Sequence, residues 1–190
     1  HLDSPFSLDD PHKAEQRRAE LRGAFASMML FAKTEGVDLM LMAGDLFDSD
    51  YAGRDTAALM AREFASNPKC KFIIAPGNHD PYTPDSIWAR YQFPEHVYIF
   101  DTDKLSYFSF DDIGVDVYGY AFTGPSMQHN PFAGKRPRNP QRINLLCAHG
   151  DLGEPTSPYC PIALDDVQKS GFDYIALGHI HNTTGIERAG

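Results

Sequence analysis

The chain has 190 residues, 42% hydrophobic and 23% charged, the composition of an ordinary globular domain with one core. A net charge of −9 argues against a broad electrostatic nucleic-acid surface, though not against a local one where cations collect. No apolar run reaches the ~18–20 residues that cross a bilayer, and the acidic opening HLDSPFSLDD lacks a signal-peptide pattern.

Asp10-Pro11 makes a helix start, cap then first helical position. Leu21, Phe25, Met28 and Ala32 recur at three- and four-residue steps and carry that helix to about Glu35, with Arg17, Arg18 and Arg22 turned away. Residues 39–43 form a short apolar run without alternation, as in a strand buried on both faces, and it delivers Gly44-Asp45-Leu46-Phe47-Asp48 at its end. A second helix follows over 54–66, with Ala58, Ala61, Phe64 and Ala65 inward and Asn67-Pro68 as its stop. The strand 71–75 repeats the design and runs into Pro76-Gly77-Asn78-His79-Asp80. A short helix starts near Pro84-Asp85, 97–100 is a strand, and 104–110 with 115–120 read as a β-hairpin. Residues 122–142 are a loop rich in Pro, Gly, Asn and Arg. Two more junctions follow: 143–148 into His149-Gly150-Asp151, and 172–177 into Gly178-His179-Ile180-His181, with a short helix near 163–169 between them. Cys70, Cys147 and Cys160, odd in number and without C-x-x-C spacing, read as free thiols in a reducing compartment, the cytoplasm.

Four strands therefore end in ligand-type residues: Asp45, Asn78 with His79, His149, and His179 with His181. Parallel neighbours bring such ends to one rim of a sheet. A carboxylate, an amide oxygen and several imidazoles suit Mn, Fe or Zn better than Ca or Mg alone, and unpaired thiolates do not make a structural zinc site. Taken singly, Asp45 also reads as a helix cap, Gly77–Asp80 as a polar turn and His149 as a buried core histidine. His12, His96 and His129 match no motif and read as surface residues. Lys135, Arg136 and Arg138, with Arg142, read either as contacts to a phosphate backbone or as a solvated loop.

The order G-D-x-x-D, G-N-H-D, H-G, G-H-x-H, each after an apolar strand, resembles the calcineurin-like metallophosphoesterase superfamily over residues 1 to about 181. His1-Leu2-Asp3-Ser4-Pro5-Phe6 is similar to the D-x-H-L-D-S-P-F of its bacterial Mre11/SbcD-like DNA-repair exonuclease branch. The resemblance implies an α/β fold, a four-layer α/β/β/α sandwich with mixed sheets, as one catalytic domain over 1–190. It implies that Asp45 bridges two metals, that His1 and His181 complete one site, and that Asn78, His149 and His179 complete the other. It gives His79 the role of general acid, oriented by Asp80, and Asp48 that of supporting the ligands. The family's Asp two positions before His1 is not in this sequence, so the first strand, like any C-terminal capping region, is expected to lie outside it.

The expected chemistry is phosphodiester hydrolysis. Two cations about 3.5–4 Å apart neutralise the phosphoryl charge and activate a shared water, and an acid protonates the leaving oxygen. The expected metal is Mn, with Fe, Zn, Ni or Mg as alternatives. The resemblance makes DNA the expected substrate and an ATPase subunit a partner, with no membrane. A phosphatase or small-nucleotide phosphodiesterase is the alternative enzyme, and a metal-deficient binding or assembly module the alternative of another class.

Overall fold

The computed structural model describes residues 1–3 and 11–181. In chain order its elements are α1 (Pro11–Glu35), β1 (Leu39–Met42), α2 (Arg54–Ala65), β2 (Lys71–Ile74), α3 (Ile87–Arg90) and β3 (Val97–Ile99). They continue with β4 (Ser106–Phe110), β5 (Val115–Gly119), β6 (Ile143–His149), β7 (Asp151–Leu152), β8 (Pro161–Ile162), α4 (Leu164–Lys169) and β9 (Tyr174–Gly178).

Two sheets carry the molecule. The first is parallel, ordered β1-β2-β3; the second is ordered β4-β5-β6-β9, antiparallel only at β4. Side chains alternate across each strand, so each sheet has two apolar faces to cover. In β2, Phe72 and Ile74 pack with Phe25, Met29, Met60 and Phe64 of α1 and α2, while Ile73 points the other way, into a cluster with Val117 and Cys147 of the second sheet. In β6, Cys147 joins that central cluster, whereas Leu146 and Ala148 pack outward with Phe122, Phe132 and Val167. Helices, sheet, sheet, then α4 with the 122–142 loop: these are the expected four layers. Strands read from continuous apolar runs are continuous because both their faces are buried.

The expected hairpin forms, with Ser106 opposite Gly119 and Phe110 opposite Val115. Three local expectations shift. Met28 is 41% exposed and its neighbour Met29 fully buried, because Phe25, Met29 and Ala32 make the inner stripe of α1. On α2 the inner face is Thr56, Ala57, Met60 and Phe64; Ala58 and Ala65 are exposed, since alanine is tolerated on any helix face. The short helix starts two residues later than Asp85, at Ile87, with Ser86 as its N-cap, whose Oγ accepts from the Ala89 N–H. The β7–β8 ladder has too little sequence to show a period. His96, expected at the surface, is half-buried with Nε2 3.0 Å from the Phe64 carbonyl oxygen. The three cysteines are free and buried. No helix among the described residues is long and apolar enough to cross a membrane.

Candidate metal centre

The centre forms where the ends of both sheets meet. From the first sheet come the loops after β1 and β2, which interlock through their backbones. The Asp80 carboxylate accepts three N–H groups, from Asp45 (2.9 Å), Leu46 (2.8 Å) and Gly77 (2.7 Å). In return the His79 N–H donates to Asp45 Oδ1 at 2.9 Å, and the Ser49 N–H to the His79 carbonyl. This clamp holds Asp45 in the left-handed region, φ +55°, which aspartate tolerates. Asp45 caps no helix: α2 begins nine residues on, with Gly53 as its N-cap.

From the second sheet come His149 at the end of β6 and His179 just past β9. His149 Nδ1 lies 2.7 Å from the Ala43 carbonyl oxygen, which can only accept, so the proton sits on Nδ1. His149 Nε2 then faces Asn78 Oδ1 at 3.0 Å and Asp45 Oδ2 at 3.4 Å. Three acceptor atoms converging on one point repel unless a proton or a cation lies among them. His179 has φ +112°, a strained backbone for a residue with a side chain, and its ring packs 5.0 Å from that of Tyr159. One ligand atom each from Asp45, His149 and His179 lie within 4.8 Å of one another.

A second group shares Asp45. One ligand atom each from His1, Asp45 and His79 also lie within 4.8 Å of one another. His1 Nε2 is buried without a hydrogen-bond partner, 3.6 Å from Asp45 Oδ2. An orphaned imidazole nitrogen beside a carboxylate is costly in a closed fold and is what a cation would satisfy. The donor set therefore fits two divalent ions, with Asp45 common to both.

The electrostatics agree with a centre built for cations. Burial works to raise the Asp45 carboxyl, but the hydrogen bond and charge of His149 outweigh it and hold it below its ordinary value. Burial disfavours the His149 imidazolium, yet Asp45 raises its pKa overall; His179 is lowered, first by burial and then by the His149 charge. Burial, with the Asp45 charge, pushes the Asp80 carboxyl up to about 7 against its three N–H donors.

The site residues read from the sequence do not all stand where expected. Asp45, Asn78, His149 and His179 come together, and His1 joins them through Asp45. His181 is exposed, with its ring 5.6 Å from that of His1, and His79 rather than His181 completes the compact group around His1. The carboxylate facing the half-exposed His79 ring is Asp48, 3.6 Å from Nδ1, and not Asp80, whose oxygens are taken up by the backbone. Arg138 donates from Nη1 to the Tyr107 hydroxyl and lies over that ring, while Lys135 and Arg136 are exposed. Arg142 binds Asp116 and Asp111 at the start of β6, the opposite end of that strand from His149. Arg142 is taken up by these carboxylates, whereas Arg138, among the described residues, keeps an unneutralised charge at the surface. Tyr159 had no motif to reveal it; only the β7–β8 ladder brings it to His179.

A family model for the calcineurin-like phosphoesterases matches residues 10–183. The chain belongs to that family. Its members generally use a dinuclear metal centre, and the two groups sharing Asp45 are candidate ligands for one. The chain is 33% identical over 192 aligned positions to a Bacillus subtilis protein described as the uncharacterized metallophosphoesterase YhaO, covering 95% of this chain and 46% of that one. It is 27% identical over 176 positions to the DNA double-strand break repair protein Mre11 of Saccharolobus solfataricus, covering 87% of this chain and 44% of that one. The chain thus spans a little under half the length of these curated relatives.

Proposed function

We propose that this chain is the catalytic domain of a two-metal phosphoesterase that cleaves phosphodiester bonds, with DNA as the substrate class. The observation that carries the reading is the pair of ligand groups meeting on Asp45, with an orphaned His1 nitrogen in one and three converging acceptors in the other. Two bound divalent ions, Mn foremost and Fe, Zn, Ni or Mg as alternatives, would supply charge neutralisation at the phosphoryl group and an activated water. The residues do the rest. Asp45 Oδ2 and His149 Nε2 face one another as ligand atoms, and His149 directs its Nδ1 proton to the Ala43 carbonyl. Asn78 offers a neutral oxygen, which leaves the centre positive enough to take an anionic phosphate. His79, half-exposed at the mouth with Nδ1 facing Asp48, is placed to hand a proton to the departing oxygen. His181 adds an imidazole beside His1, and Asp80 keeps both loops in place.

The nuclease assignment draws support from the Mre11 relative and from the HLDSPF opening. An ATPase subunit as partner belongs to the same reading, as does a cytoplasmic site of action, supported by three unpaired thiols. Hydrolysis of bis-p-nitrophenyl phosphate against p-nitrophenyl phosphate, with Mn present, tests the diesterase claim. Labelled single- and double-stranded DNA then tests the substrate: cleavage is expected, and an intact two-metal protein that leaves DNA untouched while hydrolysing small diesters would replace this reading with a small-nucleotide phosphodiesterase.

A further inference from the structure

The residues next to His1 are tied down at several points. The Leu2 N–H donates to the Leu46 carbonyl at 2.7 Å, and Leu2 bridges to Phe47, both side chains buried in the first core. One residue on, Asp3 is 8% exposed with φ +60°. Arg22 of α1 grips its carboxylate with a fork, Nε to Oδ1 at 2.9 Å and Nη2 to Oδ2 at 2.8 Å. Thr56 of α2, itself 1% exposed, donates its hydroxyl to Oδ2 at 2.6 Å while accepting the Gly53 N–H. These residues are therefore tied to the β1 loop and to two helices within two residues of the orphaned His1 Nε2.

We propose that Asp3, Arg22 and Thr56 form a latch that positions His1 as a metal ligand, so that one of the two metal positions depends on helix contacts well outside the ligand shell. The proposal rests on the reading of His1 as a ligand. Metal ligation needs the donor atom held to within about 0.5 Å, and neighbours that orient a ligand typically change affinity by about 10–100-fold. A bidentate guanidinium–carboxylate fork fixes direction as well as distance, which a lysine in its place would not. Position 3 is two peptide units from position 1, so a change in the Asp3 carboxylate's seat is transmitted to the His1 ring with little slack. The ligand group of Asp45, His149 and His179 shares only Asp45 with the group around His1, so it should sense the change far less. These three are positioning residues; none touches the reacting atoms.

The test is Mn binding by calorimetry to the full chain, with unfolding curves recorded on the same samples. Arg22→Gln is expected to weaken one Mn position by about 10–100-fold and leave the other as in the parent. Thr56→Val, which removes a single hydrogen bond with little change in shape, is expected to weaken the same position by less, and it decides the question if Arg22→Gln does not fold. Folded variants that bind two Mn as the parent does, or that weaken both positions together, would overturn the latch. His1→Ala separates the two claims. If it loses one Mn while the latch variants keep both, the latch alone is wrong. If it too keeps both, the ligand role of His1 is wrong and the latch falls with it.

Discussion

Gly178→Ala is expected to damage fold and metal centre together, by an amount set by where the methyl must go. Gly178 ends β9 opposite His149, where the rim of the second sheet crosses the end of β1. A Cβ there would overlap the Ala43 carbonyl oxygen and lie 3.1 Å from His149 Nδ1. The obstacle is backbone, so no rotamer change relieves it and the two sheet ends must separate. Added volume in a packed core costs about 1–3 kcal/mol. Losing the bond from His149 Nδ1 to Ala43 adds about 0.5–1.5 kcal/mol. A combined loss of about 2–4 kcal/mol lowers the thermal midpoint of a domain this size by roughly 5–15 °C. Thermal and urea unfolding in EDTA measure this, and a Mn titration should show weaker binding because His149 has lost its anchor. Gly23→Ala is the matched control: it lies exposed in α1 with nothing within 4 Å of its added methyl. That change should stabilise by about 0.5–1 kcal/mol. A Gly178→Ala protein as stable as its parent would refute the close approach of the two sheets on which this account of the centre depends.

His79→Ala should keep the ion held by Asp45, His149 and His179 and lose about 10²–10⁴-fold in turnover, read by bis-p-nitrophenyl phosphate hydrolysis beside metal analysis; an unchanged rate would remove its acid role. Mn should raise the thermal midpoint of the EDTA-treated protein by mass action, and Asp45→Ala should abolish that shift, since Asp45 belongs to both ligand groups. At Asp3 burial works against the carboxylate, but the Arg22 and Thr56 hydrogen bonds outweigh it, so its pKa in the fold is depressed. Its stabilisation is then fully present above its unfolded value of about 4 and is lost as pH falls through the lower folded value. Urea unfolding should find Asp3→Asn about 1.5–3 kcal/mol less stable at pH 7, a gap that closes below about pH 4.

The fold was legible because its strands sit under two cores. A run such as Phe72-Ile73-Ile74 has no choice of face, and four such runs each ended in a ligand-type residue. The positions that slipped are those where the sequence carries weak or ambiguous information. Met28 and Met29 are equivalent to a pattern but not to a helix of 3.6 residues per turn. Asp48 and Asp80 are both acidic residues near His79, and only the fold shows that the backbone consumes one of them. Asp3, Arg22 and Thr56 are far apart in sequence and belong to no short motif, so nothing but the tertiary structure could join them.

Catalysis and substrate choice are written in different parts of this chain. The candidate ligand atoms come largely from strand ends, where Gly77 and Gly178 let the two sheets approach; a side chain at Gly77 would fall on Asp45 and His149, and one at Gly178 on Ala43. Such a centre tolerates little change and leaves a strong local signature. A substrate is read instead by loops around the rim, where composition says little. The basic stretch of 135–142 shows the difficulty. As a string it resembles a phosphate track, yet Arg142 is spent on Asp111 and Asp116, so part of its charge serves the fold of the second sheet. With a net charge of −9 and Arg142 engaged, attraction for a polyanion falls to the metal centre and to the exposed Lys135, Arg136 and Arg138.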